Sequence, residues 1–574
     1  MILKKLRPFI LLLTVTAVAL LAYGVVGMPS PQPADAEGFS SARVANDIEN
    51  ISRQHHSVAH PQERAQVREY LVGRLKEIVA DTVHVFSYDS LVGPQNKHVE
   101  YTFDAHNLLA EFNPLKETED TTYLMLVAHY DSRYSQPFAK DTVWSYGAAD
   151  DGYGLGVILE TVSQAKKRHQ EWCQGIKVLF TDAEEVGMMG MKALKEHNPE
   201  VFDNVGFLIN VEARGTYGPV LLFETGAGNE KVMDLYDSEA ESPHTYSLTS
   251  VVYGMMPNFS DFTLVKDSIP GLNFSNVADV NHYHTHLDAF ENIDQETIQH
   301  YGAQILPVVT KYLTSAEYSD VDALRAEDDI VSFTLPLLGM LDFSMTGYVV
   351  LNAVLAFVFL LLLTLEVIRG RVKLPNVFRK SGIILGVALA VLVVGELVAW
   401  LCSLIAGADF VLFGIVQGVS FDNLIMLLSM VLLLVMTVYV YMRGRSDAIR
   451  QSSSMRANAS VNAARHHAYR SLYGALVLVF VMALIFVAVL HENLMFMIPL
   501  FCATAAMILY HMTNLRLWLL VGIAFVLLHA FSFLYVLAMA LTIGAFGLVM
   551  MLAYIDIMVL VPMADLYMMP TKKK

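Results

Sequence analysis

The chain has 574 residues, of which 54% are hydrophobic and only 17% charged. That composition excludes an ordinary water-soluble globule, because a run of roughly 20 apolar residues can cross a bilayer and several such runs are present. The net charge of −17 argues against nucleic acid as a partner.

In chain order, the first apolar run covers about Pro8 to Met28, behind Lys4, Lys5 and Arg7. It reads as a transmembrane helix within residues 1–28, with signal-peptide cleavage near Val25-Val26-Gly27 as the alternative. Pro29 to about Glu37 is a Pro- and Ala-rich linker, and residues 29–346 have globular texture. Helical spacing runs over Arg43–Val79, interrupted around His60-Pro61. Strand-like runs follow at Val83–Tyr88, Asn107–Phe112, Thr122–Ala128, Ile176–Phe180, Val205–Val211, Val220–Phe223 and Ile269–Phe274. Helical patterns intervene at Gly152–Lys167, Gly187–Glu196, Glu230–Glu241 and Gln295–Tyr312. Alternating strands and helices, with unbroken apolar strands such as Leu124-Met125-Leu126-Val127, predict an α/β domain whose sheet is covered on both faces. Sites in such folds form beyond the carboxyl ends of the strands.

Seven further apolar runs lie at about 347–368, 381–406, 423–442, 472–490, 493–511, 515–536 and 540–562, the last two nearly continuous. They predict an α-helical membrane domain over 347–574. Positive residues gather on the cytoplasmic side of bilayers. With the N-terminus inside, the basic clusters at Arg369–Lys380, Arg443–Arg470, Arg516 and Lys572–Lys574 all fall on that side, while the opposite short loops hold no Lys or Arg. This places the domain of 29–346 outside the cytoplasm. The compact length favours a bacterial inner membrane, with an endoplasmic-reticulum or vacuolar membrane as the alternative. Of the three cysteines, only Cys173 falls in the globular domain, so no internal disulfide is available to it.

Candidate chemistry sits at the polar ends of the apolar segments. His129 and Asp131 are two apart at a strand end and point to one side, so Asp131 can orient the His129 ring. Asp150-Asp151-Gly152 opens a helix; one acid can cap it and the other can bridge two metals. Glu184 and Glu185 are adjacent, so one can bind metal while its neighbour faces substrate. Glu212 ends an apolar strand, where an unpaired carboxylate would be costly. His282, His284 and His286 offer three imidazoles in five residues.

In order and spacing over roughly residues 100–290, this set resembles the di-zinc aminopeptidases related to glutamate carboxypeptidase and the transferrin receptor. The resemblance implies a three-layer αβα exopeptidase fold with a mixed, mostly parallel sheet. It implies two Zn2+ ions held by His129, Asp150, Glu185, Glu212 and His284, with Glu184 as general base and Tyr283 as an oxyanion donor. Asp131 joins the catalytic set through the His129 ring. The span–peptidase–multispan order is similar to the endoplasmic-reticulum metallopeptidase and vacuolar membrane protease branch, and Glu212 stands where soluble relatives often carry Asp. Peptides and the lipid bilayer are the expected partners. Three rivals remain: a glutaminyl-cyclase-like acyltransferase with one zinc, a non-catalytic module of the same fold, and a peptidase feeding a transporter built on Glu396, His529 and Asp556.

Overall fold

The computed structural model describes residues 2–25, 27–93, 102–116, 120–133, 144–255, 259–335, 338–414, 416, 423–452 and 457–569. Arg456, Ser453, Ser454 and the C-terminal lysines Lys572, Lys573 and Lys574 lie outside the described residues. Two compact units are formed. One comprises Gly27–Thr334 with Leu338–Met345, the other Met1–Val26 with Leu335–Leu337 and Thr346–Lys574.

In chain order, α1 (Ile2–Val25) precedes α2 (Ser41–Ile51) and α3 (Pro61–Glu77), which brackets the predicted break. Ser40 caps α2 by accepting from the Arg43 amide, and Pro61 starts α3, where its missing N–H costs nothing. The strands are β1 (Thr82–Val92), β2 (Thr102–Phe112), β3 (Tyr123–His129), β4 (Gly175–Thr181), β5 (Val205–Ala213), β6 (Tyr217–Thr225) and β7 (Gly271–Ala278). Between them run α4 (Gly152–Lys166), α5 (Met189–His197), α6 (Glu230–Glu239) and α7 (Ser247–Met255); α8 (Gln295–Thr314) follows β7. A short sheet pairs β8 (Ile330–Leu335) with β9 (Gly339–Ser344).

The main sheet has the order β1-β2-β4-β3-β5-β7-β6. Its centre, β4-β3-β5-β7, is parallel, while β1, β2 and β6 join through antiparallel pairings. Every residue of β3 and of β4 is buried, as expected for strands covered on both faces. One face packs Leu124, Leu126, Val178 and Ile209 into the larger core with α2, α4 and α8 residues such as Ile48, Ile158 and Ile305. The other packs Met125, Val127, Leu179 and Leu208 against Met191, Leu194 and Phe262. The sheet is thus the middle layer of an αβα sandwich. Its four parallel strands end side by side, at His129, Thr181, Ala213 and Ala278.

The second unit is helical: α9 (Met345–Ile368), α10 (Leu374–Ala406), α11 (Asn423–Ser452), α12 (Ala457–Leu490), α13 (Leu494–Thr513), α14 (Leu517–Leu541) and α15 (Phe546–Met568). Among the described residues, 6 apolar stretches are long enough to cross a membrane, the last being the 52 residues of Leu517–Met568. The seven runs expected after residue 346 fall on these helices in order, the last one straddling the junction of α14 and α15. The uncertain boundary near residue 538 falls at the 3-10 turn Thr542–Ala545 between α14 and α15. In α1 the qualifying apolar stretch, Leu6–Ala22, is shorter than the run expected over Pro8–Met28.

Candidate metal centre

The four parallel strands deliver the candidate ligands to one place. His129 is the last residue of β3 and lies in register with Thr181, the last of β4, three residues before Glu184. Glu212 is the penultimate residue of β5. His284 lies in the loop after β7 and has a φ of 58°, in the left-handed region that imidazole side chains visit more readily than most. Asp150 arrives from the loop that starts α4, and the Asp150–Asp151 peptide is cis.

These side chains form two groups whose donor atoms lie within 4.8 Å of one another: His129, Asp150 and Glu212, and Asp150, Glu185 and His284. Asp150 belongs to both. Its Oδ1 is 3.1 Å from His129 Nε2, and its Oδ2 is 3.2 Å from His284 Nε2. Glu212 Oε2 is 4.0 Å from His129 Nε2, and Glu185 Oε2 is 3.2 Å from His284 Nε2. Of the three clustered histidines, His284 is the one in this group; His282 hydrogen-bonds Thr216 through Nδ1 at 2.7 Å.

The surrounding network fixes these donors. His129 Nδ1 is 2.9 Å from the Asp131 carbonyl and 3.6 Å from its carboxylate. The Asp131 carboxylate accepts from the backbone N–H of Glu184 at 2.8 Å and of Glu185 at 3.3 Å. Asp131 therefore both orients the ring and clamps the Glu184–Glu185 turn. That turn begins with Ala183 at φ 59° and closes on itself as the Met188 amide donates to the Glu184 carbonyl at 2.7 Å. Asp151 caps α4 by accepting from Gly154 N–H at 3.0 Å and also accepts from His129 N–H. A side chain at position 154 would strike that carboxylate. Of the pair, Asp151 takes the cap, and Asp150 lies in both candidate donor groups.

Four contributors were not legible in the sequence. Asp288 accepts from the Ala149 amide at 2.6 Å, the Asp150 amide at 3.3 Å and Ser145 Oγ at 2.8 Å, and so shapes the loop that presents Asp150. Arg133 pairs with Glu185 Oε2 at 3.0 Å. Asn210 Nδ2 donates to Glu212 Oε1 at 3.1 Å, and Tyr301 Oη donates to the Glu212 carbonyl. The only available signal was Asp288's place four residues after His284. Tyr283 stacks on His284, with ring centroids 3.6 Å apart.

Burial, helped by Asp150 and Asp261 against the opposing pull of His129, raises Glu212 to about 8. Burial likewise raises Glu184 well above the carboxylate range. Asp150 is the contrast: burial opposes its ionisation, but hydrogen bonds from His129 and His284 hold it well below that range. Burial raises Asp288 to about 7, with Asp150 adding to the effect. So many acids gathered in one recess suit cations. Glu185 Oε1 is buried without a hydrogen-bond partner among the described residues, which leaves it available to a metal. Imidazole nitrogen with carboxylate oxygen is a donor set that suits zinc, and a carboxylate shared by two groups suits a pair of ions. The residues fit such a centre.

Residues 107–309 match peptidase family M28. Every candidate metal donor falls within that matched M28 segment. The chain is similar to endoplasmic reticulum metallopeptidase 1 of Mus musculus, with 25% identity over 298 residues, 51% of this chain and 31% of the relative. It is also similar to the vacuolar membrane protease of Candida dubliniensis, with 23% identity over 363 residues, 61% of this chain and 37% of that protein. The chain therefore spans about a third of the length of these curated relatives. A solved Zn-dependent exopeptidase from Parabacteroides distasonis aligns with the chain at 19% identity and a TM-score of 0.37. The alignment covers 48% of this chain and 98% of that one.

Proposed function

We propose that the protein is a membrane-anchored zinc metallopeptidase, an aminopeptidase that hydrolyses peptides outside the cytoplasm. One observation carries this reading: the two oxygens of Asp150 each face a different imidazole, and each imidazole is backed by its own glutamate. His129 and Glu212 would hold one zinc ion, Glu185 and His284 the other, with Asp150 common to both. Zinc, when bound, lowers the pKa of water toward neutrality and polarises a carbonyl. Glu184, which is in neither donor group, accepts a proton from the attacking water and returns it to the leaving amine. The elevation of Glu184 by burial suits a group that must hold that proton between the two steps. Asp131 keeps Glu184 and Glu185 facing different ways by holding both of their amides. Tyr283, stacked on His284, donates a hydrogen bond to the developing oxyanion.

A one-zinc cyclase needs a single donor group, so the second group favours the peptidase. The full chain, purified in detergent with zinc, should cleave peptides with a free N-terminus and spare their N-blocked forms. Pyroglutamate formation from an N-terminal glutaminyl peptide without peptide cleavage would overturn the reading in favour of the cyclase.

The proposed organisation is a helix within 1–28, the peptidase domain over 29–346 and a membrane domain over 347–574. The distribution of Lys and Arg supports an outer peptidase domain. Cysteines introduced at Pro33 and Ser453 should be labelled by an impermeant reagent at 33 and not at 453 in sealed cells. The reverse pattern would remove the extracytoplasmic assignment.

A further inference from the structure

Asn210 on β5, Asn273 on β7 and Glu224 on β6 stand in register across the sheet, Asn210 paired with Asn273 and Asn273 with Glu224. Residues paired across neighbouring strands share a face, so the three form a polar row, and all three are buried. Such a row is costly unless its members answer one another. Lys266 Nζ donates to Glu224 Oε1 at 2.7 Å, and Asn273 Nδ2 donates to Glu224 Oε2 at 3.0 Å. Asn210 Nδ2 donates to Asn273 Oδ1 at 2.9 Å, and the same nitrogen donates to Glu212 Oε1 at 3.1 Å.

The direction of this chain is dictated from its far end. A carboxylate held by an ammonium only accepts, so Asn273 turns its NH2 to Glu224 and its oxygen to Asn210. Asn210 must then offer its own NH2, and its Oδ1 is left buried without a hydrogen-bond partner among the described residues. Its orientation is therefore imposed by its neighbours. Glu212 Oε1 is occupied by that NH2, and Oε2 is the oxygen that faces His129 Nε2 at 4.0 Å. Neither Glu224 nor Lys266 belongs to a donor group.

We infer that Glu224 is a positioning residue for the metal centre, whose charge acts through Asn273 and Asn210 to hold Glu212 as a one-oxygen ligand. This rests on the zinc peptidase reading above. Glu224→Gln reverses the chain, because Lys266 can only donate and draws the oxygen of the new amide, leaving its NH2 to face Asn273. Both asparagine amides then turn over, and Asn210 brings Oδ1 against Glu212. Adding Asn273→Asp restores the direction, since a carboxylate in the middle of the row accepts from both sides.

Zinc binding by the full chain in detergent, titrated at buffered free zinc, reads the effect. In Glu224→Gln one of the two zinc equivalents should bind roughly tenfold more weakly, as suits a lost partner behind a metal ligand. In the double variant Glu224→Gln/Asn273→Asp the affinity should return nearly to that of the wild type, whether or not the single variant folds. A brace that only joined the strands would not be repaired by moving the charge. Wild-type zinc affinity in folded Glu224→Gln, or weak affinity in a folded double variant, overturns the inference and leaves the peptidase reading intact. Failure of both variants to fold makes the row a structural brace and overturns it equally. A wild-type chain that takes up no zinc would overturn the metal centre itself and this inference with it.

Discussion

Between Gly27 and Thr334, the buried acids Asp150, Glu185 and Glu212 turn toward one another and toward two imidazoles, with their donors gathered within 4.8 Å. Between Thr346 and Lys574, three acids among the described residues lie on separate helices, each with partners of its own. Glu366 on α9 meets Arg371 at 2.6 Å and His511 at 3.2 Å. Asp565 on α15 accepts from Tyr441 Oη at 2.8 Å and Arg445 Nε at 3.1 Å. Glu396 on α10 accepts from the Leu548 amide at 3.2 Å. The same residue type therefore serves opposite ends. Partners spread along a helix bundle answer acids singly, whereas acids gathered at one point accumulate negative charge that a cation would offset. Of the residues named for the transporter rival, Glu396 thus meets a backbone amide and His529 stacks on Phe533.

The largest break in this comparison comes from Asp150. Because it belongs to both donor groups, Asp150→Ala should strip both zinc ions and abolish hydrolysis. Glu212→Ala and His284→Ala should each lower zinc content by one equivalent. Metal analysis at fixed free zinc checks this, and full zinc retention in Asp150→Ala would show that the convergence is not a metal site. Equal retention among His282→Ala, His284→Ala and His286→Ala would remove His284 from the set.

Glu184→Gln separates chemistry from metal binding. The amide keeps the shape and cannot take the proton, so kcat should fall by about 10² to 10⁴ while zinc content holds. Loss of zinc along with activity would reverse the roles assigned within Glu184-Glu185.

How much of this was legible depends on what each residue answers to. Strands β3, β4 and β5 were readable because burial on both faces demands unbroken apolar runs such as Leu124–Val127. The acids and imidazoles that follow them stood out against that background. The β8–β9 pair and α7 were not read, since neither has a long apolar period. Asp288 and Arg133 escaped because their roles depend on loops brought together by the fold. Asp288 reaches back more than a hundred residues to the Ala149 amide, and no local pattern announces such a bond. That Asp151 and not Asp150 caps α4 was legible only as an alternative, because either carboxylate could serve as the cap.

The helical unit should respond in the opposite sense to the metal centre. Glu366→Gln removes the anion that answers Arg371 and His511. It should destabilise the protein by about 1–2 kcal/mol, because Arg371 is still partly open to solvent. Thermal unfolding of the full chain in detergent reads that loss, and peptide hydrolysis at low temperature should be untouched. A fall in kcat at a temperature where the variant remains folded would mean that this cluster is wired to the chemistry.

The smallest effect sharpens the contrast within the peptidase unit, between histidines met by acids and histidines buried neutral. His300 Nδ1 accepts from the Val220 amide at 3.1 Å, so its proton sits on Nε2, which faces the Ser242 carbonyl at 3.1 Å. Burial lowers it to about 4, and its neighbour His244, with ring centroids 6.4 Å away, is lowered to about 3. The folded values lie below the unfolded value of 6.5, so neither ring costs anything above that pH. As pH falls from 6.5 toward 4, the unfolded chain takes up protons that the folded chain refuses, and stability drops. By pH 5 the share of His300 alone should approach about 2 kcal/mol, since a tenfold difference in proton affinity between the two states is worth about 1.4 kcal/mol. His300→Gln can keep both hydrogen bonds, with its amide oxygen toward Val220 and its NH2 toward Ser242, and it has no charge to gain. Comparing the variant with wild type at equal zinc cancels the acid sensitivity of the metal ligands, which both proteins share. The variant's unfolding midpoint should gain on that of the wild type as pH drops from 7.5 to 5. Parallel pH profiles for the two proteins would mean that the His300 ring is protonated in the folded state, against the donor and acceptor pattern that holds it.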